Sequence, residues 1–487
     1  MVSSRRAAAI GIVGCGCDAC NEAAKNRRLL LKSFRSFVEH DRNGVNAQSN
    51  AVTCRMYLVN NKGQSMIPVN RRGFLGASLG GLAAAFSFGP ALLAQDGADA
   101  SNPEAAGFAP DTLFLSMQKD PTSAITVQWL GMDSKADVSI GYSTLENPLI
   151  QIGSTMTKPY INTDLKVYRC ELTGLKPGTE YQFQIGQAAK KYRFRTMPAK
   201  ATNTIQFVSG GDAGVDQHAV NTNVLAAKQE PYFALIAGDL AYDNGTSPET
   251  FTKYLQNYSK HMIDAQGRLI PMLTCIGNHE VKGGYKTKRS DSPQFLSLFD
   301  CFHAEKTYGV VDVGDYLSLV LLDTDHIEPI AGEQTAWLEK TLADRQERPH
   351  LIVANHVPAY PSYRPAQGEN GKIGTGEEQR KNWCPLFERY NVDVVLEHHD
   401  HTFKRTHPLT NGMKDKNGVL YLGDGSWGKL RIPKAPEERP YLAVVSAAYH
   451  MTVHRLEGEQ RFHTAIEESG KVADVCMTVN KRPARRG

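Results

Sequence analysis

Five short apolar runs, each ending in a motif of Asp, Asn or His, constrain this 487-residue chain more than any other feature. Phe207-Val208 leads to Gly211-Asp212-Ala213-Gly214. Phe233 to Ala237 leads to Gly238-Asp239-Leu240-Ala241-Tyr242, and Met272 to Ile276 to Gly277-Asn278-His279-Glu280. Further on, Leu351 to Ala354 runs into Asn355-His356, and Val392 to Leu396 precedes His399-Asp400-His401. Uninterrupted apolar runs of this kind, with another at Leu317 to Leu322, predict strands buried on both faces, because a strand with one wet face alternates. Between them, residues 248–263, 332–345 and 377–390 predict helices. In the second of these, Trp337, Leu338, Thr341, Leu342 and Arg345 fall on one side. Buried strands interleaved with helices predict an α+β or layered α-β-β-α domain over residues 203–480. Loops at the carboxyl ends of such strands converge, so five separated segments can deliver metal-binding side chains to one place. Singly each motif is weak, since Gly-Asp is a common turn and a lone His at a strand end is more often hydrogen-bonded core than a ligand. Five in succession, each after a predicted strand, predict a site.

Residues 108–198 have a different texture. Ile125-Thr126-Val127-Gln128-Trp129, Tyr168-Arg169-Cys170-Glu171-Leu172 and Tyr181-Gln182-Phe183-Gln184-Ile185 alternate with period two, as does Tyr192-Arg193-Phe194-Arg195. Turn residues such as Lys176-Pro177-Gly178 separate them, which predicts a small all-β sandwich. With Glu180-Tyr181 after that turn and the closing Phe194-Arg195-Thr196, the segment resembles a fibronectin type III domain. It carries no cluster of catalytic residue types, so the expectation is a packed accessory domain.

The formal charge of +4 is unevenly spread. Residues 1–94 hold 12 of the 55 Lys and Arg and 4 of the 51 Asp and Glu, leaving 43 basic against 47 acidic residues in the rest. The body therefore gives no case for nucleic-acid binding from bulk charge. Four of nine cysteines (Cys15, Cys17, Cys20, Cys54) precede residue 66. The other five are scattered, which predicts small buried hydrophobes rather than a disulfide framework.

Asn70-Arg71-Arg72-Gly73-Phe74-Leu75 resembles a twin-arginine export signal, and Gly73 to Gln95 follows without a charge. Glycines and Pro90 dilute that run, so residues 66–100 read as signal peptide and linker rather than a stable membrane anchor. Such a signal sits near a start, and Met66 would place it there. The expectation is that residues 1–65 are a mis-started or disordered leader, and that Cys15-Gly16-Cys17-Asp18-Ala19-Cys20 is a chance cluster lacking the second half of a metal site.

The five blocks, in order and spacing, resemble the metallophosphoesterase superfamily, and Tyr242 narrows the resemblance to purple acid phosphatases from about Ile205 onward. Gln334 with Trp337-Leu338, and the late Gly423-Asp424-Gly425, fit the same pattern. The resemblance implies that Asp212, Asp239, Tyr242 and His401 hold one metal. Asp239 would bridge to a second, completed by Asn278, His356 and His399. It implies ferric iron at the first position, suited to phenolate and carboxylate, and a divalent ion (zinc, manganese or iron) at the second. Two such cations activate water and clamp a small phosphate-ester substrate, with His279 as general acid or as a stabiliser of the leaving group's charge. An exported, periplasmic or secreted acid phosphatase follows.

His398 stands where the family usually has glycine. Residues two apart in extended backbone share a side, so His399 and His401 converge on the metals while His398 serves as a spacer. Plant members carry extra histidines where this chain reads Val357 to Arg364. Tyr363 or Arg364 could there meet phosphate, pack or face solvent. Asp400, between two ligands, reads either as orienting an imidazole or as solvated. The rival readings are a phosphodiesterase or nucleotidase with the same metals, and a surface-binding protein with a degenerate phosphatase domain.

Overall fold

The computed structural model describes residues 108–117 and 120–482. The expected leader and export signal, with the Cys15–Cys20 cluster, lie outside the described residues. The first strands are β1 (Phe114–Met117), β2 (Ile125–Gly131), β3 (Ile140–Thr144), β4 (Gln151–Gly153), β5 (Met156–Pro159), β6 (Lys166–Leu172), β7 (Glu180–Ile185) and β8 (Tyr192–Arg195). Then come β9 (Ile205–Gly210), β10 (Ala234–Ala237), β11 (Met272–Cys275), β12 (Gly309–Val313), β13 (Leu317–Leu322), β14 (His350–Asn355) and β15 (Val394–Glu397). The last are β16 (Phe403–Thr406), the small hairpin β17 (Leu409–Thr410) and β18 (Met413–Lys414), β19 (Leu420–Asp424), β20 (Leu442–Ser446), β21 (His450–Glu457), β22 (Gln460–Glu467) and β23 (Val472–Val479).

Two large sheets face each other. One runs β23-β22-β21-β9-β10-β11-β1-β2-β6-β5, the other β12-β13-β14-β15-β19-β16-β20. The continuous apolar runs are explained by side chains serving two cores in alternation. Phe207, Leu235, Leu319, Ile352 and Leu396 point into the layer between the sheets. Their neighbours Val208 and Ile236 face α1 (Gln217–Ala227), α2 (Pro248–His261) and α3 (Pro293–Phe299). On the far side, Val320, Val353 and Val395 face α4 (Glu333–Ala343) together with Trp383 and Phe387. The result is the layered α-β-β-α architecture, preceded by an all-β part.

Local rules place the helices. In α2 the Ser247 hydroxyl accepts from the Thr250 N–H, Pro248 opens the first turn, and Lys260 and His261 close the last against the helix dipole. The helix expected at 377–390 is instead two: α5 (Glu377–Asn382) and α6 (Cys384–Arg389), meeting at Trp383. Pro385 is the cause, because it has no N–H to donate and its ring crowds the carbonyl four residues back.

In the all-β part, β4-β3-β7-β8 forms a separate sheet that packs on β2 and β6 through Val127, Trp129, Cys170, Ile140, Phe183 and Phe194. Strand β7 has the burial alternation that its sequence predicts. The other sheet of the sandwich does not stop at its own edge. β1 pairs in parallel with β11, Ser116 opposite Met272, so it continues the catalytic sheet. Cys170, Cys275, Cys301, Cys384 and Cys476 form no disulfide among the described residues, and three of them are buried. Among the described residues, no helix is long and apolar enough to cross a membrane.

Candidate metal centre

All five motifs lie at carboxyl ends of strands. β9, β10 and β11 are neighbours in one sheet and β14 and β15 in the other, so the two sheets contribute from opposite sides of one cleft. Asp212 follows β9, Asp239 and Tyr242 follow β10, and Asn278 opens a short 3-10 turn after β11. His356 directly follows β14, and His399 and His401 lie in the loop after β15.

These seven side chains form two touching groups. In the first, Asp212 Oδ1 lies 2.9 Å from His401 Nε2 and 3.1 Å from the Tyr242 hydroxyl, which is 3.0 Å from His401 Nε2. In the second, His356 Nε2 lies 3.1 Å from His399 Nδ1, 3.2 Å from Asn278 Oδ1 and 3.2 Å from Asp239 Oδ1. Asp239 belongs to both: with His356 and His399, and with Asp212 and His401, its ligand atoms lie within 4.8 Å.

The fit to cations can be tested on atoms left without partners. Asp239 is fully buried and its Oδ2 accepts no hydrogen bond. His356 Nδ1 lies 3.1 Å from the Ala237 carbonyl, to which only an N–H can donate, so in the neutral imidazole Nε2 is the atom that carries the lone pair. That lone pair points at the oxygens of Asp239 and Asn278. Lone pairs gathered so closely in a dry site repel unless a cation sits among them. The ionisation of each group carries the same strain. Burial would lower His356, but Asp239 and Asp212 outweigh it and raise the imidazole to about 9. Burial and the neighbouring His356 push His399 well below its ordinary range. Burial, then Asp212 and Asp239, push the Tyr242 phenol well above its own. A bound cation reverses each of these penalties.

The backbone is strained at the same places. Asp212, Asp239, Tyr242, His399 and His401 have φ of 58°, 54°, 63°, 71° and 59°, in the left-handed region that side-chain-bearing residues avoid. Each costs roughly 1–3 kcal/mol and persists only where neighbours over-determine it. Here the Asp212 N–H donates to Gly238 O, the Ala213 N–H to Asp239 O, and the Gly428 N–H to Asp212 O. A Cβ on Gly277 would lie 2.5 Å from Asp239 Oδ1, so only glycine lets that loop close over the shared carboxylate.

His279 lies beside the groups rather than within them. Its Nε2 is 3.8 Å from Asp239 Oδ2, its ring is 4.3 Å from that of Tyr242, and a third of the side chain is exposed. Asn244 Oδ1 accepts from Nδ1, which turns Nε2 toward the centre, and burial lowers its pKa. His398 points away: its Nδ1 meets the Asn355 carbonyl at 2.9 Å, and its ring packs on Gly211, where a Cβ would come within 2.8 Å of it.

Asp400 neither orients a ligand imidazole nor faces solvent. It is buried and accepts from the N–H groups of Ser362 (2.6 Å) and Tyr363 (2.7 Å) and from Arg364 Nη1 (2.9 Å). Arg364 also donates to the His399 carbonyl, so it braces the ligand loop. The Tyr363 ring lies under the Arg431 guanidinium. Gln334 is a latch, bonded to both the N–H and the carbonyl of Asp323.

Four further residues support the site without being singled out by sequence. Glu280, buried, accepts from the N–H groups of Gly277, Asp239 and Leu240, tying two ligand loops together. Its place inside the Asn278 motif was the available signal. Tyr285 sets its hydroxyl 3.1 Å from His399 Nε2, and nothing in its glycine-rich loop marks it. Lys404 and Glu397 form a buried ion pair (2.8 Å) beneath the His399 loop.

Fold and site together define a calcineurin-like metallophosphoesterase, and that family's model matches residues 209–403. Residues 110–196 match the N-terminal domain of purple acid phosphatases. The chain is 28% identical over 287 residues to purple acid phosphatase 21 of Arabidopsis thaliana, covering 56% of this chain and 62% of that protein. It is 25% identical over 426 residues to acid phosphatase type 7 of Homo sapiens, covering 78% of this chain and 92% of that one. The fold is similar to that of a purple acid phosphatase from yellow lupin (Lupinus luteus) seeds, with a TM-score of 0.62, 19% identity, and coverage of 75% and 73%. Both the N-terminal and the catalytic part of the chain are thus similar to purple acid phosphatases.

Proposed function

We propose that this chain is an exported acid phosphatase that hydrolyses small phosphate monoesters at a dinuclear centre. The carrying observation is Asp239, a buried carboxylate shared by two groups of donors with one oxygen left unbonded. Asp212, Tyr242, His401 and Asp239 would hold ferric iron. Asn278, His356 and His399, with Asp239, would hold zinc, manganese or iron. When bound, such a pair supplies a hydroxide nucleophile at mild pH and neutralises the phosphate. The chain's own contribution is orientation and proton control. Ala237 O fixes the His356 tautomer and Tyr285 holds the His399 ring. Asn244 holds His279 so that Nε2 faces the centre, where it delivers a proton to the leaving alkoxide or stabilises its charge.

Export rests on Arg71-Arg72 and the uncharged run after them, through the twin-arginine route, which carries folded proteins and so permits metal loading beforehand. Metal content, visible absorption, and rates on an aryl monoester and its diester test the reading on purified protein. Two metal equivalents, a ferric–phenolate band that Tyr242→Phe abolishes, and a clear monoester preference are expected. Iron-loaded protein without visible absorption, or a preference for the diester, would overturn it.

A further inference from the structure

Beside the metal centre lies a cavity of about 570 Å³ that shares a wall with it. The wall is His399 and Tyr285. The Tyr285 hydroxyl is fixed on His399 Nε2, its ring stands edge-on to that imidazole at 88°, and the His326 ring backs it at 5.0 Å. Tyr285 is nevertheless 42% exposed, so the ring is rigidly held and open to a ligand. Ile330, Val357 and Ile373 supply apolar lining, and Ile373 is 63% exposed.

The charges around this cavity sum to the wrong sign for an anion. Its lining includes Lys286, Asp325 and Glu378. Lys286 Nζ lies 3.7 Å from Asp325 Oδ2, so the single ammonium is offset locally. Glu378 accepts from Asn382 (3.1 Å), and among the described residues no cation pairs with it. Other cations near the centre are committed as well: Arg364 to Asp400 and Lys429 to Asp216, each at 2.9 Å.

We infer that this cavity seats the organic part of the substrate and selects monophosphate esters whose alcohol is aromatic or apolar and carries no further anion. The inference rests on the phosphatase reading above. The reacting phosphate has its charge met at the metal centre, but a second phosphate or carboxylate on the alcohol would enter beside Glu378 with nothing to offset it. An aryl group instead covers Tyr285 and Ile373 and removes their apolar surface from water.

The test compares phenyl phosphate with 4-carboxyphenyl phosphate on the metal-loaded, full-length enzyme. The two differ by one charge at the far end of the ring. The carboxylated ester should show a roughly tenfold lower kcat/KM, carried mainly by KM. Glu378→Gln should narrow the gap, and Glu378→Lys should close or reverse it. Equal rates on the two esters in the wild type, or a ratio that neither variant moves, would overturn the cavity's role while leaving the phosphatase intact. Protein that carries two metals but hydrolyses neither ester would instead remove the reading on which the cavity's role depends.

Discussion

Strands β14 and β15 carry the same residue types at both ends and treat them in opposite ways. At the amino ends are His350 and Asp393, at the carboxyl ends His356 and the His399 loop. Asp393 is as buried as Asp239, yet the protein completes it: Arg461 and Arg482 reach it at 2.9 and 2.7 Å, and the Leu351 N–H at 2.7 Å. His350 there is pushed down to about 3 by burial and by those guanidiniums, whereas His356 is raised to about 9 among carboxylates. A buried charge met by two guanidiniums within the chain is architecture. One met on a single oxygen by an imidazole and a backbone N–H, with its other oxygen left over on strained backbone, marks where something else must bind.

Exchanging the roles of the two ends is the most direct attack on that contrast. Asp239→Asn should lose both metals and essentially all turnover, while the metal-free protein melts only slightly lower, because His356 loses the carboxylate 3.2 Å from its Nε2. Metal analysis and calorimetry read the two effects separately; retention of two metals would refute the bridging role. His279→Ala should keep both metals and lower kcat by about 10²–10⁴-fold, the usual worth of a positioned acid or base. Loss of a metal in that variant would show that the centre extends further than its seven residues.

At the opposite end, Asp393→Asn should leave the metal sites competent but destabilise the fold by about 3–5 kcal/mol, since two buried guanidiniums lose their counter-charge. Denaturant melts check this, and an unchanged midpoint would make the two ends alike after all. The smallest effect concerns acid. His350 stays neutral when folded down to about 3, while an unfolded histidine takes up its proton near 6.5. Its contribution is therefore complete above 6.5 and is lost as pH falls below it, at about 1.4 kcal/mol per unit. His350→Gln should flatten the acid limb between pH 6.5 and 4.5, and an unchanged limb would show that other groups govern it.

What was legible in the chain follows from range. The doubly buried strands announced the layers because each run carries its own periodicity, and the motifs after them announced the cleft because strand ends converge. The break at Trp383 was in plain sight as Pro385. Asp400 was misjudged because its partners, Ser362 to Arg364, come from a loop 36 to 38 residues away. Asp393 pairs with arginines 68 and 89 residues further on, at the rim of β22 and just beyond β23. Tyr285 reaches His399 from a loop with no period. Side chains whose meaning lies in a distant partner leave no local trace.

The parallel pairing of β1 with β11 bears on how the molecule can be divided. A fragment beginning near residue 203 would retain all seven converging side chains, yet would strip β11 of its neighbour and bare the backbone donors and acceptors of a short, wholly buried strand. Such a raw border recruits other chains, so the truncated enzyme is expected to self-associate unless that border is capped. The N-terminal sandwich thus acts as a seam binding for the catalytic sheet, and a useful truncation would have to keep at least β1 with its partner β2.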